Sequence, residues 1–171
     1  KDERTSTPFT ELVDAYRGFT NFVNENTESG NKEVAQMGPV TSFAPLINEV
    51  CKMASKRRGF NLLIIISNGS IVKDSEQDKA TRVAIQEASK DAPISIVLIG
   101  VGHGSFDVMK AYDKGKGITG GLFSGNKARD IVQFVDFNEI RKSKHMKNDF
   151  ILAVFEEVSK HYEHAKKAGL V

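Results

Sequence analysis

The sequence predicts an α/β fold, with a doubly wound, mostly parallel sheet flanked by helices, in a single domain over residues 1–171. Two apolar runs, at 62–66 and 94–101, are typical of parallel strands that are covered on both faces. Helical patterns alternate with these runs, which implies right-handed crossover connections. The run at 60–70 ends in small polar residues, so it predicts a central strand whose carboxyl end opens on a ligand crevice.

The first part of the chain contains two predicted helices. Residues 10–24 carry apolar side chains at helical spacing, and a polar loop follows them. A second helix begins at Ala44, tolerates Pro45 in its first turn and stops at Gly59. We expect it to bury one apolar stripe, made of Leu46, Ile47, Val50, Met53 and Ala54.

A strand at 61–67 leads into a helix with a clear starting signal. Ser75 is a predicted N-cap, and Asp78 stands three positions later. The buried side of this helix is predicted to contain Ala80, Val83, Ala84 and Ala88. Pro93 then introduces the second strand, at 94–101, and a glycine-rich turn follows it.

The last part of the chain adds a third strand and a long helix. A short helix around 106–112 precedes an irregular, glycine-rich loop at 114–126. Residues 131–137 form the third predicted strand, and one helix is predicted over 148–168. We expect this helix to bury Phe150, Ile151, Val154, Phe155, Val158 and Tyr162.

The predicted sheet is incomplete. Three strands would leave a central apolar strand with one unpaired edge, which native proteins avoid. Either another segment completes this sheet, or the chain contains more strands than these three.

Composition and charge narrow the classes of function. The chain has 24 Lys and Arg against 22 Asp and Glu, so it offers no electrostatic case for binding nucleic acid. The basic run at 141–147 is interpreted as a solvated helix junction. Cys51 is the only cysteine, which excludes an internal disulfide and favours a reducing compartment. No apolar run approaches the roughly 20 residues that span a bilayer.

Four segments, at 38–45, 63–69, 94–102 and 129–137, resemble the von Willebrand factor A-like domain of the copines. The last segment is the most specific, because Arg-Asp-Ile-Val-Gln-Phe-Val followed by one residue and Phe is close to a copine signature. The same order is similar to the related domain of plant RING-type ubiquitin ligases. The family's Asp-x-Ser/Thr-x-Ser motif does not precede Glu11, which agrees with a domain that lacks its amino-terminal third.

The resemblance implies a metal-ion-dependent adhesion site for Mg²⁺ or another divalent cation at the strand ends. Thr41 aligns with the family's metal-binding threonine, and Asn68 aligns with the carboxylate of its usual Thr-Asp-Gly turn. Asparagine keeps a carbonyl oxygen but removes a negative charge, so we interpret the site as degraded. Asp74, the nearest later carboxylate, is interpreted as a helix-start residue.

Other polar motifs are weaker. The turn at 100–105 imitates a dinucleotide-binding loop but lacks its third glycine. His161 and His164 lie close to Glu157 in sequence, and we interpret both as solvated histidines rather than as a surface metal pair. No nucleophilic or acid–base constellation stands out, so the chain is predicted not to be an enzyme.

The resemblance implies a non-enzymatic protein-interaction module of a copine-like, calcium-dependent phospholipid-binding protein. A protein partner is expected at the strand-end loops, and contact with membranes only through domains outside this chain. Two alternatives remain open, a structural scaffold in a larger assembly without a metal site and the substrate-recruiting domain of a RING-type ubiquitin ligase. A single cysteine excludes a RING within these 171 residues.

Overall fold

The computed structural model describes residues 42–56, 59–69, 71–115 and 128–171, together with four helical positions near the amino terminus. The chain forms two compact units, Lys1–Pro39 and Val40–Val171. In the first unit, Asp14 and Arg17 form an exposed ion pair at 3.5 Å, which contributes little to stability. The rest of the predicted helix at 10–24, and most of the predicted loop at 114–126, lie outside the described residues.

The second unit alternates helices and strands along the chain. Its elements are α1 (Ala44–Lys56), β1 (Asn61–Ser67), α2 (Glu76–Asp91), β2 (Ile94–Gly100), α3 (Asp107–Asp113), β3 (Val132–Asp136), α4 (Phe137–Ile140), α5 (Met146–Phe155) and α6 (Val158–Lys167). Within the described residues, β1, β2 and β3 form one parallel sheet in that order. The predicted α/β fold with a parallel sheet and flanking helices is confirmed.

The central strand of the described sheet is β2, in which every residue is buried. One core lies between the sheet and α1, α2 and α3, and its larger buried members include Ile47, Ile85, Ile96, Met109 and Tyr112. The second core lies on the opposite face, where Val97, Ile99 and Val135 pack with Val154 of α5. Both faces of β2 are therefore covered, as its unbroken apolar pattern requires.

The strand β1 lies at the edge of the described sheet, whereas the sequence predicted a central strand covered on both faces. Leu63 and Ile65 are buried, but Leu62, Ile64 and Ile66 are 38%, 45% and 67% exposed. The exposed row shares a face with α5 and α6, but α5 packs mainly on β3 and α6 mainly on β2. That a further segment completes the sheet stays a prediction.

In α1 and α2, the helical patterns placed three side chains in the core that the structure leaves exposed: Leu46, Ala80 and Val83. The buried side of α2 contains the predicted Ala84 and Ala88, and also three polar residues, Asp78, Thr81 and Ser89. The prediction was based on apolar residues and left these polar positions out. The predicted buried face of α2 is therefore rotated around the helix axis relative to the observed one. The start of α2 is confirmed, because Ser75 Oγ accepts a hydrogen bond of 3.2 Å from the N–H of Asp78.

The predicted helix at 148–168 is wrong as a single element. It begins at Met146 and is divided into α5 and α6 by a turn at Glu156 and Glu157. Ile151, Phe155 and Tyr162 are exposed, whereas Val154 of α5 and His161 and Ala165 of α6 are buried. In the part of the chain that is described, no helix combines the length and apolarity needed to cross a membrane.

Candidate functional site

The carboxyl end of the sheet is formed by the loops that follow the strands. Asn68 and Gly69 follow β1, residues 102–105 follow β2, and α4 follows β3 without a loop. The N–H of Val101 donates to the carbonyl of Ser67 at 2.9 Å, so β1 and β2 remain paired up to their ends. Parallel strands bring all these loops to one edge, where ligands of such sheets bind.

Two glycines interlock the loops after β1 and β2. A Cβ at Gly104 would lie 1.7 Å from the carbonyl oxygen of Asn68, and a Cβ at Gly69 would lie 2.3 Å from that of Ser105. Both distances are far inside the roughly 3.5–4.0 Å at which non-bonded heavy atoms pack. Gly69 also has a φ of +81°, a conformation that glycine adopts without strain. The two loops therefore form one closely packed platform.

Asn68 stands exposed on this platform, at the end of β1 as the sequence predicted. The hydroxyl of Ser67 accepts a hydrogen bond of 3.3 Å from the N–H of Gly69, which stabilises the turn that presents Asn68. Thr41, the other predicted metal ligand, lies outside the described residues. A shared cation site of Thr41 and Asn68 therefore stays a prediction.

The end of β3 contributes polar residues that the sequence analysis missed. Asp136 caps α4 by accepting a hydrogen bond of 3.1 Å from the N–H of Asn138, and its other oxygen lies 3.7 Å from Lys110 Nζ. The side-chain amide of Asn138 donates to the carbonyl of Gly102 at 2.6 Å, so this corner is tied to the loop after β2. An Asp-x-Asn sequence directly after an apolar strand was the available signal.

The described residues at this end do not suit a strongly bound Mg²⁺. Asn68 offers a neutral oxygen, and the carboxylate of Asp136 is already shared between a helix cap and Lys110. Among the described residues, no group of three carboxylate, histidine or cysteine ligands gathers here. Because Mg²⁺ is usually held by carboxylates, these residues fit the implied cation poorly.

Asp74 is confirmed as a helix-start residue. It adopts a φ of +62°, and its N–H donates to the carboxylate of Asp78 at 2.8 Å. Asp78 also accepts hydrogen bonds of 2.8 Å each from Arg82 Nε and the hydroxyl of Tyr112. Burial opposes ionisation of Asp78, but these three donors hold its pKa below the ordinary value. Burial and the adjacent carboxylate raise the pKa of Tyr112.

The histidines of the last helix were interpreted as solvated, which is wrong for one of them. His161 is 1% exposed, whereas His164 is exposed. His161 lies near Asp130 and Glu157, at the amino-terminal end of the sheet. The spacing of Glu157 and His161, four residues apart on one helical face, was a usable signal, but the approach of Asp130 depends on the fold.

Comparison with known proteins identifies the family. The family model described as Copine matches residues 5–171, which is nearly the whole chain. The chain belongs to the copine family. This confirms the resemblance found in the four sequence segments, and the parallel sheet with its helices agrees with a von Willebrand factor A-like copine domain.

This copine domain is similar to proteins named as copines and to proteins named as E3 ubiquitin-protein ligases. Copine family protein 1 of Caenorhabditis elegans is 37% identical over 123 residues, which are 71% of this chain and 10% of that protein. Copine-B of Dictyostelium discoideum is 38% identical over 104 residues, 57% of this chain and 19% of that protein. E3 ubiquitin-protein ligase RGLG2 of Arabidopsis thaliana is 34% identical over 139 residues, 74% of this chain and 28% of that protein. The chain thus corresponds to no more than 28% of the length of these three relatives.

Proposed function

We propose that this copine domain is a non-enzymatic protein-interaction module that docks a protein partner on the loops at the carboxyl end of its sheet. The observation that carries the proposal is the platform formed by the loops after β1 and β2, which Gly69 and Gly104 lock together. A surface that is already ordered loses little conformational entropy when a partner binds.

The platform presents side chains suited to protein recognition. Asn68, His103 and Ser105 are exposed along the interlocked loops, and they offer hydrogen-bond donors and acceptors. The ion pair of Lys110 and Asp136, whose charged groups lie 3.7 Å apart, adds polar groups at the β3 corner. These features favour a polar protein surface as the partner.

Metal assistance is secondary in this proposal. The loss of a carboxylate at position 68 and the pairing of Asp136 with Lys110 leave little negative charge for a divalent cation. Binding of the partner should therefore survive EDTA, and Mg²⁺, Mn²⁺ or Ca²⁺ should strengthen it little. Attachment to phospholipid in the presence of Ca²⁺, and a cytoplasmic position at membranes, belong in this proposal to other regions of the intact protein.

The proposal is tested by site-specific photo-crosslinking of the intact protein in cells. A crosslinking amino acid at the position of Asn68 or His103 should capture the same partner, and one at Glu87, exposed on α2, should not. Gly104→Ala forces the two loops apart and should abolish capture from Asn68. Gly18→Ala is the matched control, because a Cβ there meets nothing within 4 Å.

Two results would contradict the proposal. Equal crosslinking from Glu87 and Asn68 would show that the strand-end loops are not the docking surface. Loss of capture from Asn68 in EDTA, restored by Mg²⁺, would show instead an intact adhesion site that needs its cation.

A second candidate is the recruitment of substrates to a ubiquitin ligase. Its support is that three relatives named E3 ubiquitin-protein ligases match this chain at 34%, 31% and 32% identity, close to the copine values. The single cysteine means that a RING would have to lie outside these residues. Incubation of the intact protein with ubiquitin and its activating and conjugating enzymes decides the matter, because absence of ubiquitin transfer removes this candidate.

A further inference from the structure

A buried histidine nitrogen without a partner lies at the amino-terminal end of the sheet. His161 of α6 is 1% exposed, and its Nε2 makes no hydrogen bond within the described part of the chain. A buried polar atom in this state is destabilising, so native structures normally satisfy it. The second ring nitrogen, Nδ1, lies 2.8 Å from the hydroxyl of Ser95 on β2.

Two carboxylates face this nitrogen at distances too long for hydrogen bonds. His161 Nε2 is 3.9 Å from Asp130 Oδ1 and 4.0 Å from Glu157 Oε2. The three ligand atoms all lie within 4.8 Å of one another. Metal–nitrogen and metal–oxygen bonds of about 2.0–2.2 Å would be reached by small side-chain movements around an ion placed between them.

The three ligands are held by the surrounding structure. The N–H of Val132 donates to Asp130 Oδ1 at 3.3 Å, which fixes the carboxylate at the start of β3. Arg129, one residue earlier, donates to the carbonyls of Ser89 and Ala92 at 3.1 and 2.6 Å and so anchors the same segment to the end of α2. Glu157 lies in the turn before α6, four residues from His161.

The hydroxyl of Ser95 is placed to accept from His161 Nδ1–H, which is the tautomer that a metal at Nε2 needs. When His161 Nδ1–H donates to Ser95 Oγ, the lone pair of Nε2 points to the carboxylates. Histidine ligands in metal sites are commonly oriented in this way through their other ring nitrogen.

We propose that His161 Nε2, Asp130 and Glu157 bind one Zn²⁺ ion at the amino-terminal end of the sheet. An imidazole nitrogen favours zinc and its neighbours over Mg²⁺ or Ca²⁺, which prefer oxygen ligands only. Two carboxylates balance the charge of the ion. The side chain of Asp130 is 56% exposed, so the ion has access to solvent and to a water molecule as its fourth ligand.

This site is separate from the proposed docking surface. Asn68 follows β1 at the carboxyl end of the sheet, whereas Ser95 and Asp130 lie where β2 and β3 begin. A metal here would connect the start of β3 with the last helix and with β2. Its role is therefore structural, and it holds α6 on the sheet.

The test is a zinc titration of the intact protein after treatment with chelator and dialysis, followed by calorimetry. Glu157→Gln and Asp130→Asn change partly exposed side chains, so these variants should fold and lose one Zn²⁺ per chain relative to wild type. His161→Gln should lose the same ion. Ser95→Ala should weaken binding about 10-fold or more, as expected for a residue that orients a ligand.

Controls and a second measurement make the result specific. His164→Gln changes an exposed histidine on the same helix and should bind Zn²⁺ like wild type, as should Asn68→Ala. Co²⁺ in place of Zn²⁺ should give a visible absorption band that disappears in Glu157→Gln. Excess Mg²⁺ should not displace either ion.

The proposal is overturned if the chelator-treated wild type binds no Zn²⁺ saturably. It is also overturned if Glu157→Gln and Asp130→Asn fold and bind as much Zn²⁺ as wild type with unchanged affinity. Loss of the ion in His164→Gln would place the site elsewhere on the helix and overturn it as well.

Discussion

Asp78 shows how one buried residue decides a local structure in this protein. Its carboxylate has no exposed surface and accepts hydrogen bonds from Asp74, Arg82 and Tyr112. These contacts connect the turn before α2, the first turns of α2 and the carboxyl-terminal end of α3. A buried charge is tolerated only when it is paired and hydrogen-bonded in this way.

The network predicts a measurable loss of stability when one donor is removed. Tyr112→Phe should lower the free energy of unfolding by about 1–3 kcal/mol, because Asp78 keeps its charge but loses a buried hydrogen bond. Tyr162→Phe is the control, since this ring lies partly in solvent and the change should be within about 0.5 kcal/mol. Urea denaturation of both variants measures the difference, and equal midpoints would contradict the expectation.

The same carboxylate predicts the direction of a pH effect. The folded protein holds the pKa of Asp78 below its value in the unfolded chain, which is about 3.9. Its contribution to stability is therefore fully present above that value and is lost as the pH falls through the lower, folded-state pKa. Denaturation at a series of acidic pH values should show a smaller loss for Asp78→Asn than for wild type.

At the scale of the element, the start of α2 follows directly from its sequence. Ser75 has extended backbone angles, accepts a hydrogen bond from Asp78 N–H and precedes two acidic residues in the first turn. The break between α5 and α6 carries no such signal, because Glu156 and Glu157 are ordinary helix formers. Packing on the sheet, rather than local preference, therefore divides this helix.

The N-cap of α2, Ser75, provides a prediction about the stability of the fold. Ser75→Ala should destabilise the fold by about 1 kcal/mol, and Ser75→Asp should retain most of the stability, since both Ser and Asp accept the same backbone hydrogen bond. Ser55→Ala is the matched control, because the hydroxyl of Ser55 donates an exposed hydrogen bond of 2.9 Å to the carbonyl of Cys51. If thermal unfolding gave Ser55→Ala a lower melting temperature than Ser75→Ala, the result would contradict this prediction.

At the scale of the whole molecule, β1 is the element that the described residues do not fully explain. Asn61 N–H donates to Pro93, and Ser67 accepts from Val101, so alternate residues between them face β2. The backbone groups of Leu62, Ile64 and Ile66 point to the other side. Their side chains are apolar and exposed, which an edge strand in water normally avoids.

This arrangement predicts protection of the outer edge in the intact protein. In hydrogen exchange, the amides of Leu62, Ile64 and Ile66 should exchange as slowly as those of Leu63 and Ile65, because a further strand should pair with β1. Fast exchange at the first three residues alone would show a free edge. That outcome would favour the scaffold alternative, in which the edge meets another subunit of an assembly.

The sequence alone determined the three described strands, the start and cap of α2 and the family. Each of these depends on local patterns, such as the apolar run at 61–67 or the segment at 129–137, which the fold has to accommodate wherever it places them. Only the tertiary structure decided that β2 rather than β1 is central among the described strands, and that His161 is buried beside Asp130 and Glu157. These features depend on residues far apart in the chain, and the spacing of residues along one segment contains no information about them.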